Sequence, residues 1–525
     1  MGDPLLATIP SGRKESTART TVLTFASVLC GAALAFGITL YVGNQIGEEG
    51  AGIFFQIMAF FSIASVFVTF GADTGLVRTL AAQKVMGTAK HLRSTLVIAG
   101  LPVLAIATIV SVVFWVYAET LEHLLGVPGL CEVIRVMASM LVPAAIMNLG
   151  FGAMRGMGRV ASFSAIQNVL LPAVRLCAVA LAIYLGGSLL QLATSWAIPV
   201  LLAATAAGIA TWRAIVHFSL AKESLAPKNV TAPNRDHSFR RFWSFSSARG
   251  VSALVETVLE WVDVIAVAVF LGPAAAGIYG AVNRCVRLGV MLEHTARLVT
   301  GPMLSACLAA GKHFEAKRLF GDTAKLLVWC AWPFYLTLAI FGEGVLSLFG
   351  PGFAEGALPL AIISMVMMLV VSAGGVQSML LMGGKSRWQL GNKLSALFVA
   401  LAANLYLVPL WGLMGAITAW SLAVLVDCAL ATMQVARTMR FGAPVRELIP
   451  LAATSLVIFG AGGLLMRSLL GPDLLTAALQ LAIALPVYVF ISVRFSERLG
   501  LEPVVRQVLR RTHKHQDPAV SENLG

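Results

Sequence analysis

Along the chain, apolar blocks of about 20 residues or more alternate with short polar stretches. The blocks are continuous rather than alternating in polarity, which argues against the strands of a barrel. A helix rises about 1.5 Å per residue, so about 20 residues cross a hydrocarbon core of roughly 30 Å. Lipid offers the backbone no hydrogen bonds, so each block is expected to satisfy its own as a helix. The blocks fall at 21–43, 51–72, 94–117, 133–154, 160–185, 189–213, 242–270, 275–292, 324–349, 358–382, 389–410, 413–436, 447–470 and 474–494. The pattern predicts an all-α membrane protein of about fourteen transmembrane helices. The narrowest gap, little more than Trp411 and Gly412, separates the eleventh block from the twelfth.

Composition agrees: the 525 residues are 58% hydrophobic and 12% charged, against about 25% charged in soluble domains. Lysine and arginine then orient the spans. Taken alternately, one set of loops collects Arg13, Lys14 and Arg19, then Arg78, Lys84, Lys90 and Arg93, then Arg155 and Arg159. It continues in the same way to the basic tail from Arg494 to Lys514. The other set holds only Arg135 and Arg467, beside Glu48, Glu49, Glu119, Glu122, Glu132, Glu343, Glu355 and Asp473. The expectation is a multi-pass protein of the bacterial inner membrane with both termini cytoplasmic, which requires an even helix count. The net charge of +13 sits in loops beside lipid headgroups, which argues against nucleic acid. The first apolar run, from Thr21, is too long for a signal peptide and is expected to stay as an anchor. The seven cysteines show no CxxC pair and read as small apolar residues, with Cys131 alone expected to face outside.

An internal repeat divides the chain. Gly47, Ala51, Gly52 and Ile53 recur as Gly272, Ala276, Gly277 and Ile278, at an offset of 225. Gly158-Arg159 matches Gly384-Lys385 at 226, and Gly187 matches Gly412 at 225. The offset carries the first block onto the seventh, so the halves are parallel and related by an axis along the membrane normal. The expected organisation is a cytoplasmic N-terminus (1–20), an N-lobe of six helices (21–213) and a cytoplasmic linker (214–241). A C-lobe of six helices (242–437), two further helices (447–494) and a cytoplasmic tail (495–525) follow. Two such lobes around a central cavity make a transporter.

The stretches YVGNQIGEEGAGIFF and FGADTGLVRTLA (Phe70–Ala81) carry a family resemblance, as do VFLGPAAAGIYGAVNR and GPMLSACLAAGKHFEAKRLF in the second half. They resemble the polysaccharide transporter branch of the multidrug/oligosaccharidyl-lipid/polysaccharide superfamily. The resemblance spans most of 20–440. It implies a flippase that moves undecaprenyl-diphosphate-linked oligosaccharide repeat units from the cytoplasmic to the outer leaflet, for O-antigen or exopolysaccharide synthesis. The implied partners are the lipid-linked oligosaccharide, membrane lipid, H+ or Na+ as coupling ion, and polysaccharide polymerase or assembly proteins. No cofactor is expected.

Charges inside the spans are the candidate machinery, because an ionisable group in a bilayer core costs roughly 2.5–3.5 kcal/mol on insertion scales. Arg249, Glu256, Glu260 and Asp263 are spaced 7, 4 and 3 apart, on one face of the seventh helix. Arg284 and Arg287 in the eighth, Arg175 in the fifth and Asp427 in the twelfth are candidates to lie opposite. Lys393 is expected to snorkel to the cytoplasmic rim. Arg249, Arg284, Arg287 and Arg175 are the candidate substrate-binding cations, since guanidinium forks suit a diphosphate. Glu256, Glu260, Asp263 and Asp427 are the candidates for coupling or for charge pairing. The competing reading is a salt-bridge network that only holds the helices together. The Thr74–His91 stretch is expected to lie as an amphipathic anchor on the inner surface.

Enzymatic signatures are missing. Gly384-Lys385-Ser386 has Met379 where a phosphate loop needs glycine. No metal-type His/Cys spacing occurs. The outer loops are too short for a polymerase or ligase site, so no enzyme is expected. Two rival transport readings are a drug/cation antiporter of the same superfamily and a flippase for the peptidoglycan precursor, lipid II.

Overall fold

Backbone self-sufficiency in an apolar solvent leaves little choice but helix, and helix is what the apolar blocks form. The computed structural model describes residues 11–86, 92–125, 129–222, 235–439, 441–442 and 445–502. Among the described residues there are helices and turns but no strands. Among the described residues, ten helices are long and apolar enough to cross a membrane. Two of these, Ser11–Thr69 and Ser386–Met439, each bend at one glycine in a non-helical conformation, Gly47 and Gly412. The helices Arg235–Leu271 and Pro273–Ala309 carry six of the eight candidate charges and lie outside those ten. Parts of the expected N-terminus, linker and tail (1–10, 223–234 and 503–525) lie outside the described residues.

The Ser386–Met439 helix folds back on itself. Lys393 reaches Asp427, 34 residues on, and Asn392 reaches Gln434, 42 residues on. In a straight helix such pairs would stand about 50–60 Å apart. The centres of the two pairs fall beside Gly412, at φ 58° and ψ −135°, where only glycine is comfortable. The narrow gap at Trp411-Gly412 is therefore a turn of one residue.

The repeat is written in the backbone. Gly47 (φ 68°, ψ −172°) and Gly272 (φ 88°, ψ 177°) share one unusual conformation at matching positions. Gly158 and Gly384 are left-handed at φ 79° and 74°. Around the first, Arg159 N donates to Met154 O at 2.9 Å and Gly158 N to Arg155 O at 3.0 Å. Around the second, Lys385 N donates to Leu380 O at 2.9 Å and Gly384 N to Leu381 O at 3.2 Å. Both are the six-to-one and five-to-two bonds of a Schellman stop.

Contacts divide the chain into two compact units, 1–265 and 266–525, with the boundary inside the Arg235–Leu271 helix. In the first unit, helices Ala72–Met86, Leu141–Gly156 and Pro199–Lys222 pack tightly through small residues. A Cβ at Gly152 would strike the Asp73 backbone, and one at Gly150 would strike Ala207. Helix Ala72–Met86 buries Leu76 and Leu80 against this cluster. Of the Thr74–His91 stretch expected as an amphipathic anchor, residues 87–91 lie outside the described part. In the second unit, His313–Ile340 is the central helix and packs on Pro273–Ala309, Ala357–Ser372 and Val445–Ser455.

Candidate functional site

The first unit holds Arg175, Arg249, Glu256, Glu260 and Asp263. The early part of helix Arg235–Leu271 is seated on the break at Phe70-Gly71, both with positive φ. A Cβ at Gly71 would fall on the backbone of Ser246 and Gly250, one at Gly75 on the Ser246 hydroxyl, and one at Gly250 on the Phe70 backbone. Trp243 Nε1 donates to Ile98 O at 3.1 Å. The Arg78 guanidinium lies 4.3 Å over the Phe245 ring. Asp73 accepts from Arg155 at 2.9 Å, and Lys84 donates to Met157 O at 2.8 Å at the Schellman stop. The Phe70–Ala81 motif is therefore a docking strip for helix Arg235–Leu271 and for the end of Leu141–Gly156.

Beyond this crossing the charged stripe begins. Arg249 is half-buried and, among the described residues, has no hydrogen-bond or ion-pair partner. Glu256 is exposed, also without one, and Glu260 is exposed. Asp263 is buried, at 3% exposure. The predicted face is thus graded, open at the two glutamates and closed at the aspartate. Arg175 is held locally: its Nε donates to Trp196 O at 3.1 Å, and its guanidinium stacks 3.9 Å over the Trp196 ring. Cation–π contact of this kind stabilises a desolvated arginine by about 2 kcal/mol.

The second unit holds Arg284, Arg287 and Asp427. Both arginines are half-buried, and Arg287 Nε donates to Asn283 Oδ1 at 3.3 Å. Asp427 accepts from Lys393 Nζ at 2.7 Å, while its Oδ1 is buried with no partner. Lys393, expected to snorkel to the rim, is thus paired with Asp427 across the hairpin. Beside it, Asn392 and Gln434 exchange amide hydrogen bonds of 2.8 and 2.7 Å.

Ion pairs also account for the two exceptions in the charge pattern. Arg135 pairs with Glu119 at 2.9 Å, and Arg467 with Glu343 at 2.6 Å. Both acids belong to the same loop set as their arginine. Sequence reasoning passed over Glu293, because the eighth apolar block ends at residue 292, while the helix runs on to Ala309.

A comparison with curated proteins finds no match. Several solved structures share the fold. The lipid II flippase MurJ, in an inward closed conformation, is 12% identical at TM-score 0.65, over 91% of this chain and 99% of that one. An inward-facing multidrug resistance MATE family transporter of the MOP superfamily is 15% identical at TM-score 0.60, over 80% and 98%. A MOP superfamily transporter from Pyrococcus furiosus is 14% identical at TM-score 0.53, over 81% and 96%. At these identities the likeness is one of fold. The family described as polysaccharide biosynthesis protein matches residues 17–307, more than half of the sequence and including the Phe70–Ala81 strip and the charged stripe. The chain is a multi-pass membrane protein with a MOP-type transporter fold, and it belongs to the polysaccharide biosynthesis protein family.

Proposed function

We propose that the protein is a flippase that carries undecaprenyl-diphosphate-linked oligosaccharide repeat units from the cytoplasmic to the outer leaflet, for O-antigen or exopolysaccharide synthesis. The proposal includes fourteen helices, with both termini cytoplasmic in a bacterial inner membrane. Two six-helix lobes alternate access to a central cavity, and no covalent step is catalysed. The family match over 17–307 carries the reading. The half-buried Arg249, with no hydrogen-bond or ion-pair partner among the described residues, supports it. A permanently charged guanidinium within a span is costly unless a water-filled space or an anion meets it. A diphosphate headgroup is such an anion, and Arg284 and Arg287 are the further cations assigned to it. Glu256 and Glu260 keep the cations hydrated and poised between cycles.

The lipid II reading is kept as a second one, because the MurJ fold covers more of this chain than the MATE fold does, 91% against 80%. Both substrates present a polyprenyl diphosphate, so the arginine assignment is common to them.

The test is complementation of strains lacking either the repeat-unit flippase or the lipid II flippase. Rescue of the first alone is expected. Arg249→Ala and Arg284→Ala are each expected to lower rescue at unchanged protein level in the membrane. Full rescue by both variants would remove the cationic-cavity account. Resistance to cationic dyes without rescue would point to an antiporter instead.

A further inference from the structure

Two of the arginines assigned to the diphosphate, Arg284 and Arg287, ride on one helix, Pro273–Ala309. Where they point depends on how that helix is turned about its own axis. Burial shows its setting. Val282, Cys285, Val286 and Gly289 are buried, whereas Asn283, Arg284 and Arg287 are half-buried. Successive residues stand about 100° apart around a helix. With Gly289 as the reference, Ile278 and Val282 lie within about 20° of it, and Cys285 and Val286 within about 60°. Arg284 and Arg287 fall about 140° and about 160° away, on the opposite side.

One aromatic ring pins that setting. Tyr335, on helix His313–Ile340, is fully buried. A Cβ at Gly289 would strike its hydroxyl and its ring, so the ring fills the notch that the missing side chain leaves. Its Oη donates to Val286 O at 3.4 Å. That carbonyl lies inside a continuous helix, so the tyrosine takes its second lone pair. Nearer the start of the helix a second close fit falls on the same face, where a Cβ at Gly356 would meet Ile278 and Val282. Apolar burial is non-directional and would tolerate some turning of the helix. A ring in a notch with a hydrogen bond at its tip does not.

We propose that Tyr335 is a positioning residue for substrate binding. By filling the Gly289 notch it fixes the rotational setting of helix Pro273–Ala309, and so aims Arg284 and Arg287 away from His313–Ile340. The bond from Arg287 Nε to Asn283 Oδ1 then orients the Arg287 fork on that outward face. The benefit to the substrate rests on the proposed function, but the setting of the helix does not.

Two measurements on the full-length protein test this. In a background without native cysteines, Arg287→Cys is expected to react with a water-soluble maleimide, and Val286→Cys to react far less. Adding Gly289→Ala to each is expected to lower the ratio of the two rates about tenfold, since overpacking at the notch must be relieved by turning the helix. Adding Tyr335→Leu to Gly289→Ala makes room for the methyl and is expected to restore most of the ratio. With the native arginines in place, binding of farnesyl diphosphate is expected to weaken about tenfold in Gly289→Ala and to recover in the double variant. Tyr335→Phe keeps the ring and loses the hydroxyl, and is expected to weaken binding about threefold. If Gly289→Ala does not yield a monodisperse protein, Tyr335→Ala, which empties the notch, decides by the same ratio. A ratio unchanged in these variants, with only the melting temperature lowered, would make Tyr335 a packing residue and overturn the proposal. So would weaker binding at an unchanged ratio. The maleimide ratio involves no substrate, so failed complementation leaves it standing, and an unmoved ratio leaves the substrate reading intact.

Discussion

Lys393 and Asp427 show how a charge pair in a membrane helix hairpin is held together by cost. The pair is mostly buried, 2.7 Å apart, and removing one partner strands the other. Lys393→Met is therefore expected to destabilise the protein by about 3–5 kcal/mol, while Lys393→Met with Asp427→Leu recovers most of the loss. Thermal aggregation of the purified variants checks this, and a double variant no better than the single would show that the pair is not coupled. The glycines of the Phe70–Ala81 strip make a second case. Gly71→Ala meets both a positive φ of 75° and the backbone of Ser246 and Gly250. It is expected to cost about 1–3 kcal/mol from overpacking. Gly208→Ala, with nothing within 4 Å of the new methyl, is expected to be neutral or slightly stabilising. Equal melting of the two variants would contradict the packing account. The charges themselves were legible in the sequence because they interrupt apolar runs. Their partners were not: Asp73 and Arg155 are 82 residues apart, and nothing in the local pattern joins them.

Element boundaries were read well where chemistry stops a helix and badly where only polarity changes. The last block, 474–494, coincides with helix Leu474–Arg494, because Gly471-Pro472-Asp473 marks its start. The turn at Gly412 was visible for the same reason. By contrast the eighth block was ended at 292, yet the helix continues through Glu293 and Thr300 to Ala309. Helical hydrogen bonds are indifferent to side-chain polarity, so a hydropathy window closes before the helix does. The ninth shows the opposite error as well: the helix spans His313–Ile340 rather than 324–349, beginning in a charged stretch and stopping at Phe341-Gly342. Those misplaced ends left Glu293 and Thr300 outside the predicted spans. The Gly412 turn makes its own prediction. In a cysteine-free background, Asn392→Cys with Gln434→Cys is expected to form a disulfide under mild oxidation. A mass shift on a non-reducing digest reports it, and persistent free thiols would argue against the folded-back arrangement.

For the whole molecule, the loop charges make a topology that labelling can check. Arg135 and Arg467 each meet an acid of their own loop set, so they do not disturb the basic excess on the other side. A single cysteine at Glu119 is expected to react with an impermeant thiol reagent in intact cells. A cysteine at Glu315 is expected to react only after permeabilisation. The reverse result would invert the proposed orientation and with it the direction of transport. Three helix pairs in this protein are joined by one glycine each, Gly47, Gly272 and Gly412. Such joints have no slack, since one inserted residue would rotate the next helix by about 100°. Binding residues usually diversify in loops. Here evolution is denied that freedom at three hinges, and divergence toward new cargo is steered onto helix faces, where it changes residues without changing length.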